Sequence, residues 1–326
     1  MLIDLVVLIL SFVALVWSAD RFVFGAAAIA RNLGISPMVI GLTVIAMGSS
    51  APEIMVSATA SLSHRLDTAI GNAIGSNITN ITLVLGVTAL LKPILVASST
   101  LRREIPLMLL ATVLTGFLLS DNQLSFMDGI ILISLFIIVM AYLIWYSQRQ
   151  HRHQQAMKDD AKDEMISQYE AEIPKQVKTS YALFWLLVGL IILPLSADYL
   201  VNAASNIARY FGISELVIGL TIIAIGTSLP ELAASIASII KKENDIALGN
   251  IIGSNIFNLL VVLSVCGILA PGKIDPAAFA RDYWWMLATS AAVLGFSLLT
   301  RPRRITRLAG ALFLVTFIGY QLMLFL

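Results

Sequence analysis

Apolar runs long enough to cross a bilayer alternate with short charged breaks along nearly the whole chain. Runs of about 20 residues read as transmembrane helices. They fall near residues 3–29, 37–62, 67–90, 103–120, 125–146, 180–207, 215–240, 245–269, 283–300 and 305–326. The breaks carry Arg31, His64-Arg65, Lys92 to Arg103, Asp121, Arg209, Lys241-Lys242, Asp275 to Asp282 and Arg301 to Arg307. The pattern predicts an all-α polytopic membrane protein of about ten helices. One long stretch, 147–179, has no apolar period and alternates charge sign, as in Lys158-Asp159-Asp160. It reads as a linker between 1–146 and 180–326, too short to hold a regulatory domain.

Composition agrees with that reading. Of 326 residues, 58% are hydrophobic and 13% charged, against about 25% charged in soluble proteins. Cys266 is the single cysteine, so disulfides and thiol clusters are excluded. The net charge of +1 says nothing about partners, and nothing in the chain suggests nucleic-acid binding. Asp4 near the start, with no basic opening and no small-residue cleavage site after Trp17, predicts a retained first helix. Trp145-Tyr146, Trp185 and Trp284-Trp285 read as interfacial belt residues.

Basic residues are unequally shared between alternate loops. The set containing the linker holds about 16, and the opposite set holds Arg65, Arg209, Lys273 and Arg281. The excess marks the cytoplasmic side, which places the linker inside and both termini outside.

The two halves repeat each other at a constant offset of 178 residues, as in Asp20 and Asp198, Glu53 and Glu231, and Asn80 and Asn258. Across 18–80 and 196–258 about half of the positions are identical without a gap, which is the mark of a duplication. Five helices per half, an odd number, would insert the second copy upside down. Inverted repeats with discontinuous helices at matching positions point to a transporter that binds its substrate between the repeats.

The candidate chemistry lies in two elements of each repeat. The first is Gly48-Ser49-Ser50-Ala51-Pro52-Glu53 and its copy Gly226-Thr227-Ser228-Leu229-Pro230-Glu231. Proline breaks or kinks a helix, and a carboxylate at membrane depth is by default an ion or proton site. The second is Gly71-Asn72-Ala73-Ile74-Gly75-Ser76-Asn77-Ile78-Thr79-Asn80, repeated over Gly249 to Asn258. Hard cations take oxygen ligands. Glu53 and Glu231 would bring charge; Ser49, Ser50, Thr227 and Ser228 would bring hydroxyls; Ser76, Asn80, Ser254 and Asn258 would face them. The helix breaks would free the carbonyls of Ala46 and Ala224. With one cysteine and no histidine in the apolar runs, zinc, copper and iron are disfavoured. Taken singly, a proline is usually only a kink and a hydroxyl usually bonds its own helix. The glutamates differ, because no Lys or Arg lies in these helix centres to balance them. Asp20 and Asp198 are expected to be structural, through a pair with Arg21 or backbone capping.

The paired Gly-Ser/Thr-Ser-x-Pro-Glu and Gly-Asn-x-x-Gly-Ser-Asn motifs resemble the α-repeats of the cation/calcium exchanger superfamily, whose best-known members are sodium/calcium exchangers. The resemblance implies ten helices in two inverted five-helix repeats, both ends outside, and a site made of the oxygens just named. It also implies alternating access by sliding of the helices that carry Asp20 and Asp198. The short linker resembles that of prokaryotic members. One departure stands out: archaeal members carry an aspartate at one position matching Asn80 or Asn258, whereas both are asparagine here. Two formal charges then balance one Ca²⁺ or two Na⁺, and a third Na⁺ would bring uncompensated charge into a low-dielectric cavity.

The leading expectation is Ca²⁺/Na⁺ antiport by a protein working as a monomer in a bacterial inner membrane, with no enzymatic activity and no cofactor beyond the transported ions. The alternative is Ca²⁺/H⁺ antiport at the same site, because two facing carboxylates can titrate as a pair. An intramembrane hydrolase would need a nucleophile and base or a metal motif, and no histidine lies in the apolar runs. A channel is distinguished by the absence of obligatory exchange.

Overall fold

The computed structural model describes residues 1–33, 35–160, 177–212 and 224–325. Part of the expected linker, 161–176, and the opening of the 215–240 span, 213–223, lie outside the described residues. The first half comprises α1 (Leu2–Leu33), α2 (Pro37–Ser49), α3 (Ala51–Leu62), α4 (Leu66–Leu91), α5 (Glu104–Leu119) and α6 (Phe126–Asp160). The second comprises α7 (Thr179–Tyr210), α8 (Ala224–Thr227), α9 (Leu229–Ile240), α10 (Asn244–Leu269), α11 (Trp284–Leu298) and α12 (Arg307–Phe325).

Six of these helices are long and apolar enough to cross a membrane alone, or seven with the α2–α3 pair, which bends by 46° at Ser50. The other expected spans correspond to shorter helices: α5 has 16 residues, α9 has 12, and α11 has 15 beyond a π-helical lead-in, Ala278–Tyr283. Helix α6 continues beyond Tyr146 as far as Asp160, so the expected linker begins as helix.

Burial separates centre from periphery. The apolar windows of α4 and α10 are 72% and 89% buried, whereas that of α1 is 22% buried. An apolar helix largely uncovered by protein is stable only in lipid. The described residues form two hydrophobic cores. The larger is built around α4 and α10, with Ile74, Ile78, Ile81, Ile252, Ile256 and Leu260 at its middle. The smaller binds α1 to α7 through Phe22, Val23, Ala26, Leu186 and Leu193, and reaches α9 through Ala234.

Close backbone approach explains two glycines. A Cβ on Gly189 of α7 would meet Phe22 Cα of α1 at 2.7 Å, and one on Gly253 of α10 would meet Leu42 O of α2 at 2.6 Å. Neither backbone atom can move aside, so each contact requires the missing side chain.

Short antiparallel pairs tie the halves at their edges: Ile94–Leu95 with Arg304–Ile305, and Gln123–Leu124 with Gly272–Lys273. At the starts of α5 and α11 the same repeat position holds an ion pair, Arg103 with Glu104 and Arg281 with Asp282 at 2.7 Å. These contacts belong to the frame that carries α4 and α10.

Candidate cation site

Each glutamate sits one residue after a proline at the start of a helix, Glu53 in α3 and Glu231 in α9. Proline suits a first turn, since its missing N–H would find no intrahelical acceptor there. Both carboxylates are fully buried. Ser50, three residues before Glu53, reaches the Glu231 carboxylate, so the two acids belong to one site. A hydrogen bond from Ser50 Oγ to Glu231 Oε1 at 2.8 Å links the halves at the site, with Ser254 Oγ donating to the same oxygen at 3.4 Å.

The second element flanks this pair from α4 and α10. Asn80 and Asn258 are fully buried, and each begins a π-helical turn, Asn80–Leu85 and Asn258–Val262. Such turns rotate the following side chains out of helical register and recur at functional sites. Around the glutamates lies a set of buried atoms with no hydrogen-bond partner: both carboxylate oxygens of Glu53, Oε2 of Glu231, the amide atoms of Asn80 and Asn258, and Ser228 Oγ. Leaving such atoms unmatched costs about 1–3 kcal/mol each, more for charged groups. An oxygen-rich, doubly acidic cluster with that many open acceptors fits a desolvated hard cation as substrate.

The remaining expected site residues fall as follows. Ser49 and Ser76 are buried, and Ser49 stands near the Glu231 carboxylate. Thr227 closes α8 and, with Ser76, lines a cavity of about 350 Å³ that also touches Asn72, Asp282 and Gln321. Ala224 opens α8. The break does not free the Ala46 carbonyl entirely: it keeps a hydrogen bond from Ser50 N at 2.9 Å on one of its two lone pairs. Pro52 lacks an N–H, so the carbonyl deprived of its helical donor is that of Gly48, four residues earlier. In the second repeat the turn is tighter, and Ser228 N bonds Ile225 O at 3.1 Å.

Two braces were missed in the sequence. Asn72 Nδ2 donates to Glu53 O at 3.2 Å and Ser57 Oγ at 2.9 Å. At the repeat-related position, Asn250 Nδ2 donates to Glu231 O at 3.2 Å and Ser235 Oγ at 3.1 Å. Their places in the repeated Gly-Asn pairs were the available signal. Asp20 and Asp198 lie away from the carboxylate pair. Asp20 pairs with Lys241 Nζ at 2.6 Å, whereas the expected partner Arg21 is at 3.9 Å, and Asp198 accepts from Asn202 at 3.1 Å.

A family profile described as sodium/calcium exchanger protein matches residues 3–145 and 181–326. The chain belongs to the sodium/calcium exchanger family. It is 53% identical to CaxA of Alkalimonas amylolytica over 326 residues, covering 100% of this chain and 99% of that one. Identity to the inner membrane protein YrbG of Escherichia coli is 46%, over 89% of this exchanger and 87% of that protein. Solved structures of the sodium-calcium exchanger NCX_Mj superpose with a TM-score of 0.81 at 32% identity, over 98% of this chain and 97% of that one. This family member is therefore an integral membrane protein of the cation-exchanging class, a transporter rather than a catalyst.

Proposed function

We propose that the protein is a secondary active antiporter exchanging Ca²⁺ for Na⁺, with Glu53 and Glu231 as the shared charged ligands. The carrying observation is the buried, partnerless oxygen cluster around these two carboxylates. One Ca²⁺ or two Na⁺ neutralise the pair. An empty pair of buried carboxylates is costly to pass through a closed state, which couples movement of one ion to binding of the other. Ser49, Ser50, Ser76, Thr227, Ser228, Ser254, Asn80, Asn258 and the carbonyls of Ala46 and Ala224 complete the ligand set. NCX_Mj is named a sodium-calcium exchanger, and its likeness to this chain supports the same ion pair here.

In this reading 1–146 and 180–326 are two inverted repeats of five helices, joined by a cytoplasmic linker over 147–179, with both termini outside. The protein works as a monomer, in the inner membrane as the name of YrbG suggests. A second reading, Ca²⁺/H⁺ exchange, is favoured by the asparagines at 80 and 258, which leave two acidic groups to share protons or metal.

Reconstituted protein in Na⁺-loaded vesicles tests the proposal. Saturable ⁴⁵Ca²⁺ uptake that collapses when the Na⁺ gradient is removed supports Na⁺ coupling. Uptake driven by a pH gradient and indifferent to Na⁺ replaces it with the proton reading.

A further inference from the structure

Ser49 can donate one proton, and more than one acceptor is at hand. Ala46 O lies at 3.3 Å and Asn250 Oδ1 at 3.1 Å, and the Glu231 carboxylate is bonded by the adjacent Ser50. Which of them takes the proton decides how many ligands the cation finds. A backbone carbonyl has two lone pairs, and one on Ala46 is already used by Ser50 N at 2.9 Å. If Ser49 also donated there, Ala46 would have nothing left for an ion. If it donated to Glu231, it would compete with the ion for the charged oxygens.

Asn250 is built to accept. Both of its amide protons are spent, on Glu231 O at 3.2 Å and Ser235 Oγ at 3.1 Å. Those two bonds hold the amide plane with Oδ1 turned toward Ser49, 201 residues away in the other half. The residue is fully buried, so bulk solvent does not compete for this orientation. A hydroxyl that gives its proton to a fixed acceptor presents its own lone pairs on the opposite side.

We propose that Asn250 is a positioning residue that takes the Ser49 proton, so that Ser49 Oγ and Ala46 O both stay open to the transported cation. The inference rests on the transport reading above. It assigns Asn250 no contact with the ion. One side chain thereby registers the carboxylate of its own half, through the Glu231 carbonyl, and a neutral ligand of the other half, through Ser49.

The test is a double-mutant cycle on full-length protein in Na⁺-loaded proteoliposomes, reading half-saturating Ca²⁺ and maximal ⁴⁵Ca²⁺ uptake separately. Asn250→Ala is expected to raise half-saturating Ca²⁺ about tenfold, the scale of one buried polar contact. Ser49→Ala raises it in the wild type but adds nothing in the Asn250→Ala background, because the hydroxyl is then already turned away. Ser235→Ala removes one of the two acceptors that anchor the Asn250 amide and covers the case in which Asn250→Ala does not fold. In that background the effect of Ser49→Ala is expected to shrink. Additive effects of Ser49→Ala and Asn250→Ala, an unshifted Asn250→Ala, or an undiminished Ser49 effect in Ser235→Ala each overturn the inference while wild-type exchange stands. No saturable wild-type uptake overturns the transport reading, and this inference with it.

Discussion

Ser50 Oγ donates to Glu231 Oε1 at 2.8 Å across 181 residues of sequence. The bond joins the break of one half to the acid of the other, so neither repeat makes the site alone. A hydrogen bond to a charged acceptor contributes about 1.5–3 kcal/mol. Ser50→Ala should therefore raise half-saturating Ca²⁺ by roughly tenfold or more, read by ⁴⁵Ca²⁺ uptake. Glutamine at 231 would still accept at Oε1 but without charge, so the same change in a Glu231→Gln background should add less, on the scale of a neutral hydrogen bond, about 0.5–1.5 kcal/mol.

Removing either charge should stop exchange. Glu53→Gln and Glu231→Gln keep size and polarity but leave a divalent ion with one balancing carboxylate in a low-dielectric cavity. Binding should weaken by at least about 100-fold, the equivalent of roughly 3 kcal/mol. Fluorescence-detected size exclusion should show both variants inserted and monodisperse. Normal uptake by either would remove that residue from the site.

Protons should compete with Ca²⁺. A protonated carboxyl cannot balance a divalent ion, so half-saturating Ca²⁺ should rise as pH falls and recover as pH rises. Maximal uptake should recover at high Ca²⁺ if the effect is competition. An affinity flat across the acid range would show that neither acid binds protons during transport.

Adding a third acid should change the stoichiometry. Asn258 is buried with both amide atoms unpartnered, and Asn258→Asp introduces a charge with almost no change in volume. The variant should accommodate one more monovalent ion, seen as a steeper Na⁺ dependence and a shifted reversal potential in vesicles. An unchanged Na⁺ dependence would place residue 258 outside the ion shell.

The frame should be least tolerant where backbones touch. Gly253→Ala drives a methyl to 2.6 Å from Leu42 O and 2.7 Å from Leu42 Cα. Overpacking of this kind costs about 1–3 kcal/mol. A lowered melting temperature in detergent, with weaker ion affinity because α10 carries Ser254 and Asn258, is the expected result. Gly295, which has no atom within 4 Å of an added Cβ, provides the control.

Membrane class, the duplication and the paired acidic motifs were legible in the sequence by itself, because hydropathy, proline and membrane-depth charge act locally along the chain. A constant offset of 178 residues is a property of the string and needs no coordinates. Hydrogen-bond ownership at the site is different. It was the packing of α2 against α10 that put Ser49 beside Asn250, and the packing of the two breaks that gave Ser50 to Glu231. The π-helical turns at Asn80 and Asn258, the retained Ala46 bond, and Lys241 as the main partner of Asp20 arise in the same way. Periodicity says which face of a helix is polar. Only the distance between helices says which donor reaches which acceptor, because a hydrogen bond fails within a few tenths of an ångström and a hydrophobic stripe does not.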